Sequence, residues 1–172
     1  MVMTPITNES LPYIYPKQAY PTSSKARLAL GEASNLSSLG QHDKAIAVLD
    51  TAITDDIPNP YLYYNRGYYH SLEADFKKAI LDYQRCLDLE PHNPTGWNCY
   101  GYALARNGQQ NDAITAYSQA IDQHPSEGAQ YFLRAASFLM AGDLTRMLAD
   151  MDAGLLRNGV VQRRLIGEVL GS

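Results

Sequence analysis

The chain repeats itself every 34 residues, and that period restricts its fold more than any other feature of the sequence. Trp97, Gly101, Ala113, Tyr117, Ala120 and Pro125 are matched one period earlier by Tyr63, Gly67, Ala79, Tyr83, Cys86 and Pro91. Another period back stand Ala29, Ala33, Ala45, Leu49, Ala52 and Ile57, and one period on stand Tyr131, Ala135, Met147, Met151, Gly154 and Gly159. No gap is needed at any step, and side-chain size is largely kept. A period of this length is that of a helix–turn–helix unit that stacks on copies of itself. It divides the chain into units 26–59, 60–93, 94–127 and 128–161, each predicted to hold a first helix, a tight turn and a second helix.

The breaks between helices carry their own signals. Turns are predicted at Leu39-Gly40, Glu73-Ala74, Asn107-Gly108 and Ala141-Gly142, where glycine just past a helix supplies a left-handed conformation. Pro58, Pro91 and Pro125 follow the second helices and stop them, because proline has no N–H to donate. Asp43, Asp75 and Asp143 stand where second helices begin, as N-caps or first-turn acids. Ala33, Gly67, Gly101 and Ala135 mark the helix crossings, with Ala45, Ala79 and Ala113 opposite them. A helix pair cannot bury its apolar face alone, so each unit leans on the next. Residues 160–170, with Val160, Val161, Leu165, Ile166, Val169 and Leu170 set among charged residues, read as an amphipathic helix closing the array.

This pattern resembles the tetratricopeptide repeat family. The third unit carries it best, in Trp97, Gly101, Tyr102, Gly108, Ala113, Tyr117, Ala120 and Pro125, and the second nearly as well. The first and fourth depart from it, with Ala29 where a large aromatic is usual and Met147 where a small alanine is usual. The resemblance spans residues 26 to about 161. It implies an all-α protein: a right-handed α-solenoid of four tetratricopeptide repeats plus a C-terminal capping helix that continues through 162–172. It also implies a module that holds another protein or peptide rather than an enzyme.

In this family the first helices line a concave face. The positions pointing into it, carried over unit by unit, are Arg27, Leu30, Ser34 and Ser38; Tyr61, Tyr64, Asn65 and Tyr68; Thr95, Asn98, Tyr102 and Arg106; and Ala129, Phe132, Leu133 and Ala136. The expected peptide-binding groove is therefore Tyr61, Tyr64, Asn65, Tyr68, Asn98, Tyr102, Arg106, Phe132 and Leu133. Any one of these tyrosines alone reads as readily as a packing residue. Together, five aromatics on one wall would form an exposed patch that needs cover. A well-known use of the fold grips the C-terminal carboxylate of chaperones with Lys, Arg and Asn. The matching positions here are Leu30, Ser34, Asn65, Thr95 and Cys99, and only Asn65 fits, so a carboxylate there would lack cations. An apolar, tyrosine-lined groove is more similar to the tetratricopeptide chaperones of bacterial secretion systems, which grip extended, proline-containing segments.

Chemistry of other kinds finds no apparatus. The four His residues show no pair at zinc-ligand spacing, and His70 falls on a buried face. Cys86 occupies a small-residue packing position, while Cys99 borders the groove. No carboxylate pair stands out from ordinary exposed acids such as Asp150 and Asp152. No catalytic residue, metal or cofactor is expected. The net charge of −4, with no basic run longer than Arg163-Arg164, argues against nucleic acid and anionic membrane as partners. No apolar stretch nears the roughly 20 residues that span a bilayer. The first residues lack the basic and apolar regions of a signal peptide, so a cytoplasmic protein with reduced thiols is expected.

Residues 1–25 differ from the rest, with Pro5, Pro12, Pro16 and Pro21 and no helical period. They read as extended, proline-rich backbone. The stretch Leu11-Pro12-Tyr13-Ile14-Tyr15-Pro16 leaves three readings open: a tail packed on the first unit, a peptide docking in a groove of its own chain or of a second copy, or a cloning remnant or plain disorder. Beside the peptide-holding adaptor or chaperone stand two alternatives, a self-associating scaffold and a regulatory subunit of a larger assembly.

Overall fold

The computed structural model describes residues 23–55 and 58–157. These form eight α-helices and, among the described residues, no strand: α1 (Ser24–Ser38), α2 (His42–Asp55), α3 (Pro60–Leu72), α4 (Phe76–Leu89), α5 (Pro94–Arg106), α6 (Gln110–Gln123), α7 (Gly128–Met140) and α8 (Leu144–Arg157). The proline-rich segment 1–22 and the expected cap at 160–172 lie outside the described residues. One boundary shifts: Ser24 and Lys25 belong to α1 rather than to an extended leader. The reason is a cap, since the Ser23 hydroxyl accepts a hydrogen bond from the Ala26 N–H at 3.1 Å.

The first helices of the second and third units start alike. Asn59 and Asn93 accept backbone N–H bonds through their side chains from Tyr61 and Gly96, and Pro60 and Pro94 follow as first helical residues. Proline is well placed there because its missing N–H would have no intrahelical partner. The turns inside the units also share one form. Gly40, Gly108 and Gly142 adopt φ of 72°, 85° and 82°. The N–H after each glycine returns to a helix carbonyl five residues back, as from Gln109 to Leu104 at 2.9 Å and from Asp143 to Phe138 at 2.9 Å. Ala74 makes the same turn at φ 58°, a conformation that its Cβ opposes.

Each first helix packs on its own second helix, and each second helix packs on the next first helix. Successive first helices also touch one another, whereas no described second helix touches the next. The array is therefore closest-packed along its first helices, and that side becomes the inner wall of a solenoid. Small residues allow the approach. Ala33, Ala45, Ala79 and Ala113 are wholly buried, and a Cβ on Gly101 would meet the Tyr117 ring at 2.8 Å.

Polar ties join the units as well. The Pro91 carbonyl accepts from the Trp97 indole at 2.9 Å and from the Gln123 amide at 3.0 Å. One period later the Pro125 carbonyl accepts from the Tyr131 hydroxyl and the Arg157 guanidinium. The proline that ends one unit thus presents its carbonyl to both helices of the next.

Candidate functional site

The first-helix wall is the place to look for function, and its side chains divide into those that pack and those that stay open. Tyr64 on α3 packs. Its hydroxyl lies 3.5 Å from the Cys99 thiol on α5, and its ring meets Tyr83 edge-on at 5.8 Å. Burial, with Cys99 beside it, pushes its phenol well above the ordinary tyrosine range. Burial also pushes the Cys99 thiol up, which keeps it protonated and poorly nucleophilic. These two residues form the joint between the second and third units. Phe132 on α7 packs too, because its ring covers Gly154 of α8, where an added Cβ would stand 2.9 Å from it. Both were expected as groove anchors; both are partly buried, and each has a packing partner across the helix gap.

Tyr61, Asn65, Tyr68 and Asn98 are partly buried. The Asn65 amide donates to the Tyr61 carbonyl at 2.8 Å, so it is held along its own helix. The Tyr68 ring leans on Tyr69 at 5.7 Å, beside the core of the first two units. The Asn98 carbonyl oxygen is enclosed without a hydrogen-bond partner.

Tyr102, Arg106 and Leu133 stand open. Tyr102 is 40% exposed and Leu133 38% exposed, and Leu72, on the same wall, is 45% exposed. Arg106 closes the C-terminal end of α5, where the helix dipole favours a cation. Its guanidinium donates to the Tyr102 hydroxyl at 2.7 Å and lies 4.9 Å from the Phe76 ring centroid and 5.6 Å from that of Tyr102. Phe76 and Tyr102 meet edge-on at 6.2 Å. A cation is thus held between two aromatic rings from neighbouring units. Phe76 was missed in the sequence because it opens a second helix, outside the register that marks the wall.

Two further features were missed or misplaced. Asp150, read as an ordinary exposed acid, is 6% exposed and accepts both arms of the Arg134 guanidinium at 2.7 and 2.8 Å. Arg134 also reaches Ser118 of the preceding unit. Arg66 does the same 68 residues earlier, binding Asp82 through two nitrogens and Asp50 of the unit before it. The signal was present as Arg and Asp 16 apart, recurring at twice the repeat period. His70 is buried, with its ring 3.9 Å from Asp82, and burial lowers its pKa, as suits a core histidine. No metal-binding cluster occurs among the described residues, and no described helix is long and apolar enough to cross a membrane.

A helical-hairpin solenoid with an inner wall of this kind belongs to the class of stacked-repeat scaffolds. Tetratricopeptide repeat profiles match residues 60–93, 82–115 and 100–155. The chain belongs to the tetratricopeptide repeat family. It is 34% identical over 86 residues to the heat shock protein sti1 homolog of Schizosaccharomyces pombe, covering 50% of this chain and 14% of that protein. It is 30% identical over 95 residues to the photosystem I assembly protein Ycf3 of Prochlorococcus marinus MIT 9211, covering 49% of this chain and 54% of that protein. The chain therefore matches only part of each relative. Among solved structures, a crystal structure of MamA superposes with a TM-score of 0.75 over 80% of each chain at 18% identity. MamA from Desulfovibrio magneticus RS-1 gives 0.74 over 79% of this chain and 77% of that one at 17% identity. These likenesses extend to the fold.

Proposed function

We propose that the chain is a protein-interaction module that holds an extended segment of another protein along its first-helix wall. The observation that carries this is the run of open apolar side chains on successive first helices: Leu72 on α3, Tyr102 on α5 and Leu133 on α7. Open apolar groups on successive helices are poor company for water and suit a peptide that runs across the units. Membership of the tetratricopeptide family supports the reading, as do partial relatives named for heat shock and for assembly of a complex. The carboxylate-clamp variant is not part of it, since Leu30, Thr95 and Cys99 stand where that mode needs cations or amides.

A photo-crosslinking residue placed at Leu72, Tyr102 or Leu133 tests the reading in cells. Adducts are expected at these three sites and not at Leu81, which is 70% exposed on the second helix α4. Adducts at Leu81 alone would move binding to the outer face and overturn the groove.

A second reading, a self-associating scaffold, has its own observation in the exposed Leu144, Leu148 and Met151 of α8. It predicts a mass in sedimentation that rises with concentration and falls to the monomer on Leu148→Glu. The Leu11–Pro16 segment remains a candidate occupant of the wall in cis or in a dimer, and deleting residues 1–22 would then raise peptide affinity.

A further inference from the structure

We propose that Arg106 selects what the wall accepts: an extended segment of a partner protein in which an internal Asp or Glu stands between apolar side chains. This rests on the groove reading above and adds the chemistry of the occupant. The chain carries a net charge of −4, yet none of the wall positions from Arg27 to Ala136 is an acid. Among the described residues, Arg66, Arg85, Arg134 and Arg146 are paired with carboxylates. Arg157 is occupied by two backbone carbonyls. Arg27 and Arg106 have no carboxylate partner, and both are exposed at wall positions. The helix dipole favours Arg106 where it stands, but it opposes Arg27 in the first turn of α1. It also gives no reason for a cradle of Phe76 and Tyr102.

That cradle orients the guanidinium. Its central carbon lies over both rings, whose planes stand 78° apart, and only one of its nitrogens donates to Tyr102. The remaining N–H donors lie in the guanidinium plane and stay available for the two-pronged grip that arginine makes on a carboxylate. Repeat register then gives Arg106 its neighbours. One period before it is Leu72, 45% exposed, and one period after it is Met140, 71% exposed. A cation thus sits between two open apolar side chains along a row that crosses α3, α5 and α7. Packed helices lie about 8–10 Å apart, and an extended chain advances about 3.3 Å per residue. The matching segment has an acid with apolar residues two or three positions to either side.

The test is selection from a phage-displayed random dodecapeptide library on the full chain and on its Arg106→Gln and Arg106→Lys variants. An enriched peptide is then synthesised in Glu and Gln forms and its binding read by fluorescence anisotropy. Wild type is expected to enrich acids flanked by apolar residues, and Arg106→Gln to enrich apolar residues alone. Loss of one charge-assisted pair should weaken the Glu peptide about tenfold and leave the Gln peptide unchanged. Arg106→Lys should keep a weaker preference for the acid, and as an exposed change it guards against misreading a folding defect, which far-UV circular dichroism would show. Apolar enrichment without acids, or acid enrichment that survives in Arg106→Gln, would overturn the role of Arg106 while sparing the groove. No enrichment by any of the three proteins would sink the groove reading and this inference with it.

Discussion

Three small residues in one chain meet different demands, and a single methyl group tells them apart. Gly101 sits at a helix crossing where a Cβ would press on the Tyr117 ring at 2.8 Å. Gly31 lies on the exposed side of α1 with nothing within 4 Å of such a Cβ. Gly101→Ala is therefore expected to destabilise by about 1–3 kcal/mol through overpacking, whereas Gly31→Ala should stabilise by about 0.5–1 kcal/mol through helix propensity. Melting temperatures that move in the same direction for both would show that the crossing is looser than the geometry implies. Ala74 poses the reverse problem, being a residue with a Cβ at φ 58°. Ala74→Gly should relieve about 1 kcal/mol and raise the melting temperature by roughly 2–4 °C for a chain of this size. Gly101 was legible in the sequence from its 34-residue register. The strain at Ala74 follows from an alanine in a position where three other units carry glycine.

Between helices, the arginine ties and the caps decide what holds. Arg134 joins α7 to Asp150 of α8 and to Ser118 of α6, and Asp150 is nearly buried. Removing one partner from such a pair strands the other charge, so Asp150→Ala should cost about 3 kcal/mol. The double change Arg134→Met with Asp150→Ala should cost clearly less than the two single changes added together, which a double-mutant cycle by denaturant melts would measure. Strictly additive losses would show that the two residues act independently. The caps give a pH dependence instead. The Asp143 carboxylate accepts from the Arg146 N–H at 2.9 Å and binds its guanidinium, and these bonds lower its pKa. A carboxylate with a lower pKa when folded contributes stability above its unfolded value, near 3.9, and loses it as pH falls through the folded value. The melting temperatures of wild type and Asp143→Asn should thus differ at pH 6 and converge as pH falls below the ordinary carboxylate range. The capping acids were readable from their place before a second helix. The Arg–Asp ties were not read, because their 16-residue spacing recurs only in alternate units and a charge on a helix is ordinarily solvated.

At the scale of the molecule, every packing contact among the described helices runs between a helix and its near neighbours. Stability in such an array is close to a sum over units and interfaces. Hydrogen exchange should find the units opening in separable steps, each with its own protection. Equal protection throughout would mean a single cooperative block. The wall is likewise a property of the assembly: Leu72, Tyr102 and Leu133 lie on three different helices and share one face only because those helices stack.

The sequence by itself determined the period, the helical hairpins, the turns and the small residues at the crossings. These depend on local backbone preference and on side-chain volume, and both are written in single residues and their spacing. Tertiary structure alone decided which wall residues stay open. Tyr64 and Tyr102 stand one period and four residues apart and are the same residue type, yet one is partly buried against Tyr83 and Cys99 while the other stands 40% exposed beside Arg106. Burial depends on what the neighbouring helix places opposite, and that is a matter of distance across the gap rather than of position along the chain.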